Sequence, residues 1–292
     1  MGGRTRPSPE YIGMKSPLLV FTTDFGLSDA YAGVMKGVAL SINPNLRFID
    51  LSHQILPQNV AQGSFLLGIN HKYFPNHAIQ VAVVDPGVGT DRRPILLTTP
   101  CGSFVAPDNG LLSGVISSYL TSVSAEAGLL ELPSPLTAVH LTNEKYWRHP
   151  VSETFHGRDV FTPVAAHLSL GVAPEDLGEP VSRVFFLPLP QPVTNGDEIT
   201  GQVIYQDVYG NLITNILAET LYGLGNVAVL IKNRRVAGLS RTFNDNTHVN
   251  EDGLIALAGS HGYLEVAVAN GNAGVLLEAG EGELVTAVTH SS

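Results

Sequence analysis

Two acidic residues each follow a short apolar run, where a strand would end and a loop begin. Asp24 comes after residues 18–21, and Asp85 comes directly after residues 79–84. In an open α/β sheet, ligands bind outside the carboxyl ends of the strands. We therefore expect Asp24 and Asp85 to face one polar crevice. Either carboxylate could instead simply cap a turn or a helix.

The loop that starts at Asp85 invites comparison with phosphate-binding loops. Residues 85–90 read Asp-Pro-Gly-Val-Gly-Thr, but no third glycine and no GK[ST] sequence follows. Residues 91–94 lead into another predicted strand rather than into a helix N-terminus, which is the element that binds phosphate. The loop therefore does not indicate a nucleotide-phosphate site.

His156 is a candidate for proton transfer, because imidazole titrates near neutral pH. It lies beside Gly157, ahead of a predicted helix, but it is one of ten histidines and could equally be a solvated or core side chain. The HExxH motif is absent, and no other pair has metal-ligand spacing with a carboxylate partner, so nothing in the residue pattern demands a metal. A metal-dependent hydrolase that uses Asp24, Asp85 and His156 stays open as an alternative.

Alternating strands and helices predict the domain that positions these residues. Apolar residues recur at helical spacing from 31 to 42, after Ser28 as the expected N-cap, and a strand near 47–51 and a helix around 60–69 follow. The run 79–84 is apolar at nearly every position, as in a parallel strand that is covered on both faces. A hairpin around 100–103 and helices after Asn109-Gly110 and over about 159–170 complete this pattern.

Beyond residue 198 the helical period disappears and short strands separated by turn residues take over. The predicted fold is an α/β N-terminal domain with a mainly parallel sheet between helices, plus a small all-β, antiparallel, barrel-like C-terminal domain. The expected divisions are a disordered extension over 1–14, the catalytic domain over 15–182, a linker over 183–198 and the β-barrel over 199–292.

Charge and composition narrow the partners. The 292 residues include 16 Lys+Arg and 26 Asp+Glu, a net charge of −10, which has the wrong sign for gripping nucleic acid. No stretch approaches about 20 apolar residues, and the N-terminus lacks an apolar signal-peptide region. Cys101 is the single cysteine. We therefore expect a cytoplasmic protein with a small-molecule substrate and neither nucleic acid nor membrane as partner.

Six motifs occur in order through both predicted domains, within residues 17 to 290. They are TTDFG at 22–26, VDPGVGT at 84–90, PDNGLL at 107–112, TFHGRD at 154–159, DVYGN at 207–211 and SHGYLE at 260–265. Together they resemble the S-adenosyl-L-methionine hydroxide adenosyltransferases, which are adenosine-forming hydrolases related to fluorinating and chlorinating enzymes.

The resemblance implies a reaction and an assembly. In that family, water or hydroxide displaces L-methionine from C5′ of the ribose and leaves adenosine. The resemblance also implies a homotrimer whose sites lie between the N-terminal domain of one subunit and the C-terminal domain of its neighbour, so that Asp207 and Asn211 act in trans. It implies no metal and no cofactor. A module that binds adenosine or S-adenosylmethionine without turnover is the alternative from another class.

The resemblance assigns the catalytic residues to Asp85, Arg92 and His156, with Arg93 as a competing choice for the arginine. A guanidinium stays cationic and favours hydroxide over neutral water, while a carboxylate and an imidazole can orient the nucleophile and accept its proton.

The substrate-binding residues that the resemblance implies fall in both domains. Asp24 would bind the ribose hydroxyls, and Phe155 would contact the sugar or base unless it is a core residue. Asn211 would bind adenine or the amino-acid end unless it only forms a turn. The methionine moiety and adenine would be held by Asp207, Ser260, Glu265 and Val268.

Several positions depart from the halogenating relatives. Gly157 stands where those enzymes use a halide-binding serine, Asp85 replaces a tyrosine, and Gln58 occupies the position of a stacking tryptophan. The short hairpin at 99–104 also lacks the long insertion of the fluorinating enzymes. These departures indicate hydroxide rather than halide as the nucleophile.

Overall fold

The computed structural model of the chain describes residues 16–122, 126–222 and 226–290. The predicted disordered extension over 1–14 lies outside these residues. The chain forms two compact units. Of the described residues, the first unit contains 16–59, 72–109 and 131–184, and the second contains 60–71, 110–122, 126–130, 185–222 and 226–290. The division into domains with a linker at 183–198 stays a prediction.

A seven-stranded mixed sheet forms the centre of the first unit. The strands up to residue 186 are β1 (Leu18–Thr23), β2 (Arg47–Ser52), β3 (Ala78–Val83), β4 (Pro94–Thr99), β5 (Gly102–Pro107), β6 (Gly128–Glu131), β7 (Thr137–His140), β8 (Glu179–Val181) and β9 (Arg183–Phe186). The sheet order is β2-β1-β3-β5-β4-β7-β8. The neighbouring strands β2, β1, β3 and β5 run parallel to one another. On the far side of β5, strands β4, β7 and β8 continue the sheet, each antiparallel to its neighbour. The predicted α/β class is confirmed.

The central strands are covered on both faces, which explains their unbroken apolar runs. Every residue of β1 and β3 is buried. Helices α1 (Tyr31–Ile42) and α4 (Thr162–Ser169) contribute to the core beside these strands, with Met35 and Val164 fully enclosed. The predicted cap at Ser28 is wrong, because the N-cap residue is Ala30 and no side chain caps α1. The loop that begins at Asp24 therefore runs two residues longer than the capping pattern indicates.

The helix predicted over about 159–170 is present, but it begins as a π-helix. Residues Gly157–Phe161 have π geometry, and α4 continues from Thr162. Single π-turns occur frequently at functional sites. Here the π-turn starts directly after His156.

An eight-stranded antiparallel sheet, nearly closed into a barrel, forms most of the second unit. Its order is β14-β13-β17-β11-β12-β16-β15, with β10 paired to β11. The strands are β10 (Val193–Asn195), β11 (Glu198–Gln206), β12 (Leu212–Leu217), β13 (Asn226–Ile231), β14 (Arg234–Ala237), β15 (Leu254–Ala258), β16 (Tyr263–Val268) and β17 (Leu284–His290). The barrel prediction is confirmed.

Within its described residues, the second unit also contains three α-helices. They are α2 (Val60–Asn70), α3 (Ser113–Ser117) and α5 (Ala273–Leu277). Phe65 of α2 packs with Ile204 and Ile213 of the barrel strands. No helix in the described part of the chain is both long and apolar enough to cross a membrane.

Helices α2 and α3 approach each other through two glycines, Gly68 and Gly114. The Gly114 N–H donates to Ser64 Oγ over 2.8 Å, and a Cβ on Gly114 would overlap the Ser64 carbonyl oxygen.

We therefore expect Gly114→Ala to lower the free energy of unfolding by about 1–3 kcal/mol, because the helices must separate. Urea denaturation followed by circular dichroism measures this change.

The matched control is Gly280→Ala in the same unit, where an added Cβ meets no atom within 4 Å. This change should stay within about 0.5 kcal/mol of the wild type. Equal unfolding midpoints for the two variants would contradict the glycine-mediated approach of the two helices.

Candidate active site

The first cavity, of about 380 Å³, lies in the first unit at the carboxyl ends of β1 and β3. These strands are parallel neighbours, with Thr23 opposite Val83, so the loops that follow them open side by side. Both predicted acids line the cavity, which confirms that Asp24 and Asp85 share one crevice. Its lining consists of Asp24, Phe25, Tyr31, Pro57, Gln58, Val83, Asp85, Pro86, Val88, Thr154, Phe155, His156 and Gly157.

A single guanidinium joins the carboxylate and the imidazole of this cavity. Arg92 Nε lies 2.9 and 3.0 Å from the two carboxylate oxygens of Asp85, and Arg92 Nη2 lies 2.5 Å from Oδ2. The same Nη2 lies 2.7 Å from His156 Nδ1. The side chains of Arg92 and Asp85 are only 9% and 5% exposed. The structure thus brings the three predicted catalytic residues together.

The neighbouring arginine has a different set of contacts. Arg93 Nη2 lies 2.5 Å from Asp108 Oδ2 and donates to the carbonyl of Arg183 over 2.9 Å. Of the two candidate arginines, Arg92 is the one beside Asp85 and His156.

The contact with Arg92 determines the tautomer of His156. A guanidinium has donors but no acceptor, so His156 Nδ1 must be the acceptor, and the proton of the neutral ring lies on Nε2. Burial lowers the pKa of His156 and the charge of Arg92 lowers it further, against the opposing effects of Asp85, Glu153 and Asp159. The imidazole is therefore neutral at neutral pH, with an N–H rather than a lone pair at Nε2.

Asp159 holds the segment that carries His156. Its fully buried carboxylate accepts hydrogen bonds from Arg158, from Arg148 and from the Ser152 backbone N–H, over 2.6–3.2 Å. Burial alone would raise the pKa of Asp159, but the bonds from Arg158 and Ser152 outweigh it and lower the pKa. Both ends of the segment from 152 to 159 are thereby fixed around His156.

Asp24 and Phe155 line another part of the first cavity. Asp24 Oδ2 accepts a hydrogen bond from the Gln58 backbone N–H over 2.8 Å, and Gln58 adopts a left-handed φ of 65° to present it. Asp24 does not cap α1. Phe155 makes edge contacts with Phe25 and Tyr31, at centroid distances of 5.8 and 5.2 Å. These rings form an apolar wall beside the acidic side chains.

The second cavity, of about 1070 Å³, lies in the second unit. It brings together all five predicted C-terminal binding residues, which are Asp207, Asn211, Ser260, Glu265 and Val268. Strands β12, β15 and β16, together with the turns that follow β11, β15 and β16, supply most of its lining. Other lining side chains that the sequence pattern did not single out are Tyr205, Arg241, Phe243 and His261.

Asp207 and Asn211 bind each other across one turn. Asp207 Oδ1 accepts from the backbone N–H groups of Tyr209 and Asn211, and Oδ2 accepts from the Asn211 side-chain amide, all within 2.8–2.9 Å. Asn211 therefore makes the turn contacts expected of the structural alternative while it also lines the second cavity. The Val268 carbonyl accepts from the Gly271 N–H over 3.1 Å.

Two aromatic residues line the first cavity although the sequence pattern does not mark them as site residues. Tyr31 is the first residue of α1, and Phe25 follows Asp24 in the preceding loop. His261 lies inside the SHGYLE motif, and that position was the available signal for the second cavity. Within the described residues, no three His, Cys, Asp or Glu side chains are grouped so that they could hold a metal ion.

Comparison with known proteins places this geometry in context. The family model described as the SAM hydroxide adenosyltransferase N-terminal domain matches residues 19–178, and the corresponding C-terminal domain model matches residues 201–286. The chain is 40% identical over 262 residues to an (R)-S-adenosyl-L-methionine hydrolase of Thermus thermophilus, covering 90% of this chain and 96% of that protein.

More distant similarity extends to halogenating enzymes and to a solved structure. A fluorinase from an Actinoplanes species is 26% identical over 228 residues, covering 69% of this chain and 72% of that enzyme. The crystal structure of an uncharacterized conserved protein from Thermotoga maritima superposes with a TM-score of 0.80 at 32% identity, covering 92% of this chain and all but 1% of that one.

The Arg92 contact predicts the titration of His156. In Arg92→Ala the pKa of His156 should rise, because a cation is lost and Asp85 keeps an unbalanced negative charge. Nuclear magnetic resonance of ¹⁵N-labelled histidine rings measures this pKa and should find the Nε2–H tautomer in the wild type.

Arg93→Ala is the matched control, because burial and then the charge of Arg93 lower the pKa of His140 instead. This variant should raise the pKa of His140 and leave that of His156 unchanged. A His156 pKa that responds to neither substitution, or to Arg93 alone, would contradict the assigned contact.

Proposed function

The chain belongs to the S-adenosyl-L-methionine hydroxide adenosyltransferase family, and on that premise we propose that it hydrolyses S-adenosyl-L-methionine (SAM) to adenosine and L-methionine. The observation that carries the proposal is the placement of Arg92 between Asp85 and His156 at the first cavity. A buried cation beside a carboxylate suits the generation of an anionic oxygen nucleophile.

In the proposed reaction, a water oxygen forms a bond to ribose C5′ while the C5′–S bond breaks. The bonding electron pair leaves with sulfur, so that the cationic sulfonium becomes the neutral thioether of methionine. The water proton passes to the carboxylate of Asp85, because His156 presents an N–H at Nε2 and its Nδ1 is occupied by Arg92. His156 Nε2–H orients the oxygen, and the charge of Arg92 stabilises developing hydroxide.

Positioning supplies much of the remaining rate enhancement. An attacking oxygen held about 3 Å from C5′ and in line with sulfur gains the advantage of an intramolecular reaction. Asp24 would accept hydrogen bonds from the two vicinal ribose hydroxyls, and the Phe155 wall would exclude water from the sulfonium. The sulfonium is already an activated leaving group, so we propose that neither a metal nor a cofactor takes part.

The second cavity supports a further part of the proposal. Its residues Asp207, Asn211, Ser260, Glu265 and Val268 would hold the methionine moiety and adenine. We propose a homotrimer in which a neighbouring copy supplies these residues to each first cavity, so that active sites form at subunit interfaces.

Because the Thermus relative is named for the (R) form of SAM, we propose the same sulfonium epimer as substrate. A single cysteine suits a cytoplasmic enzyme.

Substitution of the three central residues tests the chemistry. Asp85→Asn and Arg92→Ala should each lower kcat for adenosine release by about 10²–10⁴-fold, because the proton acceptor or its balancing cation is lost. Chromatographic detection of adenosine and methionine from each SAM epimer, after dialysis against a chelator, provides the measurement. The control is Arg93→Ala, which should retain kcat within about threefold. A chelator-sensitive wild type restored by a divalent ion would favour the metal-dependent alternative instead.

Mixing two impaired variants tests the shared site. At a SAM concentration well below the KM of Glu265→Gln, co-expressed Asp85→Asn and Glu265→Gln chains should be more active than either variant alone, because some interfaces combine an intact first cavity with an intact second cavity from another copy. Light scattering should give a particle of three times the 31.0 kDa chain mass. Each variant expressed alone is the control and should keep its own reduced rate at the same SAM concentration. A monomeric, fully active wild type would contradict the trimer proposal.

A further inference from the structure

Glu265 is a nearly buried carboxylate in the wall of the second cavity. It lies on β16, its residue is only 5% exposed, and it lines the cavity wall. An ionised carboxylate with so little solvent needs a hydrogen-bonding partner in the protein. The partner in the structure is His261, whose Nε2 lies 3.2 Å from Glu265 Oε2.

The backbone determines how His261 meets this carboxylate. The Tyr263 N–H donates to His261 Nδ1 over 3.2 Å, so Nδ1 is the acceptor and the proton of the neutral ring lies on Nε2. That N–H is therefore directed at Glu265. The imidazole also packs against the rings of Phe65 and Tyr263, at centroid distances of 6.4 and 5.9 Å, which restricts its rotation.

A glycine in the preceding turn leaves space for the pair. A Cβ on Gly259 would overlap the His261 ring and would lie only 2.6 Å from Glu265 Oε2. The turn closes through a bond from the Gly262 N–H to the Gly259 carbonyl over 2.9 Å. The imidazole and the carboxylate therefore fill the volume that any larger residue at 259 would need.

The two carboxylates of the second cavity differ in what they can still bind. Asp207 already accepts three N–H donors from its own turn, so that only about one of the roughly four acceptor positions of a carboxylate is left for a ligand. Glu265 receives the His261 N–H on Oε2, while no hydrogen bond to Oε1 occurs among the described residues. The open oxygen of a buried, oriented carboxylate matches a primary ammonium.

We propose that His261 is a positioning residue that aims Glu265 at the α-ammonium of the amino-acid end of the substrate, and so sets specificity for that end. This inference rests on the proposed function for the identity of the substrate. The ammonium is remote from C5′, so its contact contributes to binding in the ground state and the transition state alike. Loss of such a contact raises KM and leaves kcat nearly unchanged.

The test compares two sulfonium substrates in the full-length protein. One is SAM, and the other is its deaminated analogue, in which hydrogen replaces the α-ammonium. His261→Ala should raise KM for SAM about tenfold or more, as expected for a hydrogen bond to a charged group, with kcat within about twofold. The same substitution should leave KM for the analogue unchanged. Glu265→Gln should likewise penalise SAM alone.

Two further variants separate positioning from folding. His261→Gln keeps an N–H donor at the end of the side chain and should restore most of the affinity for SAM. His77→Ala, at an exposed histidine that lines neither cavity, should leave both KM values unchanged. An equal penalty of His261→Ala on both substrates, or no penalty on SAM, would overturn the inference.

Direct binding distinguishes this inference from the proposed function. If the wild type converts neither sulfonium, the proposed function fails, and calorimetry with L-methionine and with 4-(methylthio)butanoate still tests the contact. The wild type should prefer L-methionine, and His261→Ala should lose that preference. Equal affinity of the wild type for the two compounds would overturn the role of His261.

Discussion

One electrostatic constraint governs this protein. The carboxylate of Asp85, the guanidinium of Arg92 and the imidazole of His156 lie together at a nearly buried site, where no charge can be left unpaired. Arg92 satisfies it by binding both oxygens of Asp85 and the Nδ1 of His156. The end of β3 positions Asp85, and the start of the π-helix positions His156. Arg92 lies on the loop that joins β3 to β4. The mixed sheet and the Asp159 network position these three segments.

The second unit also holds carboxylates at a cavity, but with backbone, amide and imidazole N–H donors instead of a guanidinium. Its two cavity carboxylates are both held by N–H donors, but Asp207 accepts three donors from its own turn, whereas Glu265 Oε1 receives none from the described residues. Hydrogen bonds to a fixed carboxylate cost little reorganisation when a ligand arrives, because the orientation is already determined. In both cavities the tautomer of a histidine follows from the group that occupies its Nδ1.

Much of the fold could be predicted because buried positions require apolar residues, whose spacing differs between strands and helices. The unbroken apolar runs of β1 and β3 predicted strands covered on both faces, and the loss of helical period after 198 predicted the barrel. The antiparallel strands β7 and β8 escaped prediction because they are only four and three residues long. The cap at Ser28 was wrong because capping signals are local, whereas the loop from Asp24 is also anchored to Gln58.

The candidate site was only partly predictable for a similar reason. Motif resemblance identified the residues of both cavities, but it left Arg92 and Arg93 as adjacent choices, and only side-chain contacts separate them. His261 had no assigned partner in the sequence because its contact with Glu265 requires the turn geometry at Gly259. Spacing along the chain carries no information on which ring nitrogen faces a carboxylate.

In the proposed reaction, water attacks ribose C5′ beside Asp85, Arg92 and His156. Reaction of SAM in ¹⁸O-labelled water, followed by mass spectrometry of the products, tests this claim most directly. We predict one ¹⁸O atom in the 5′-hydroxyl of adenosine and none in methionine. Formation of 5′-methylthioadenosine with labelled homoserine, or of unlabelled adenosine, would contradict attack of water at C5′.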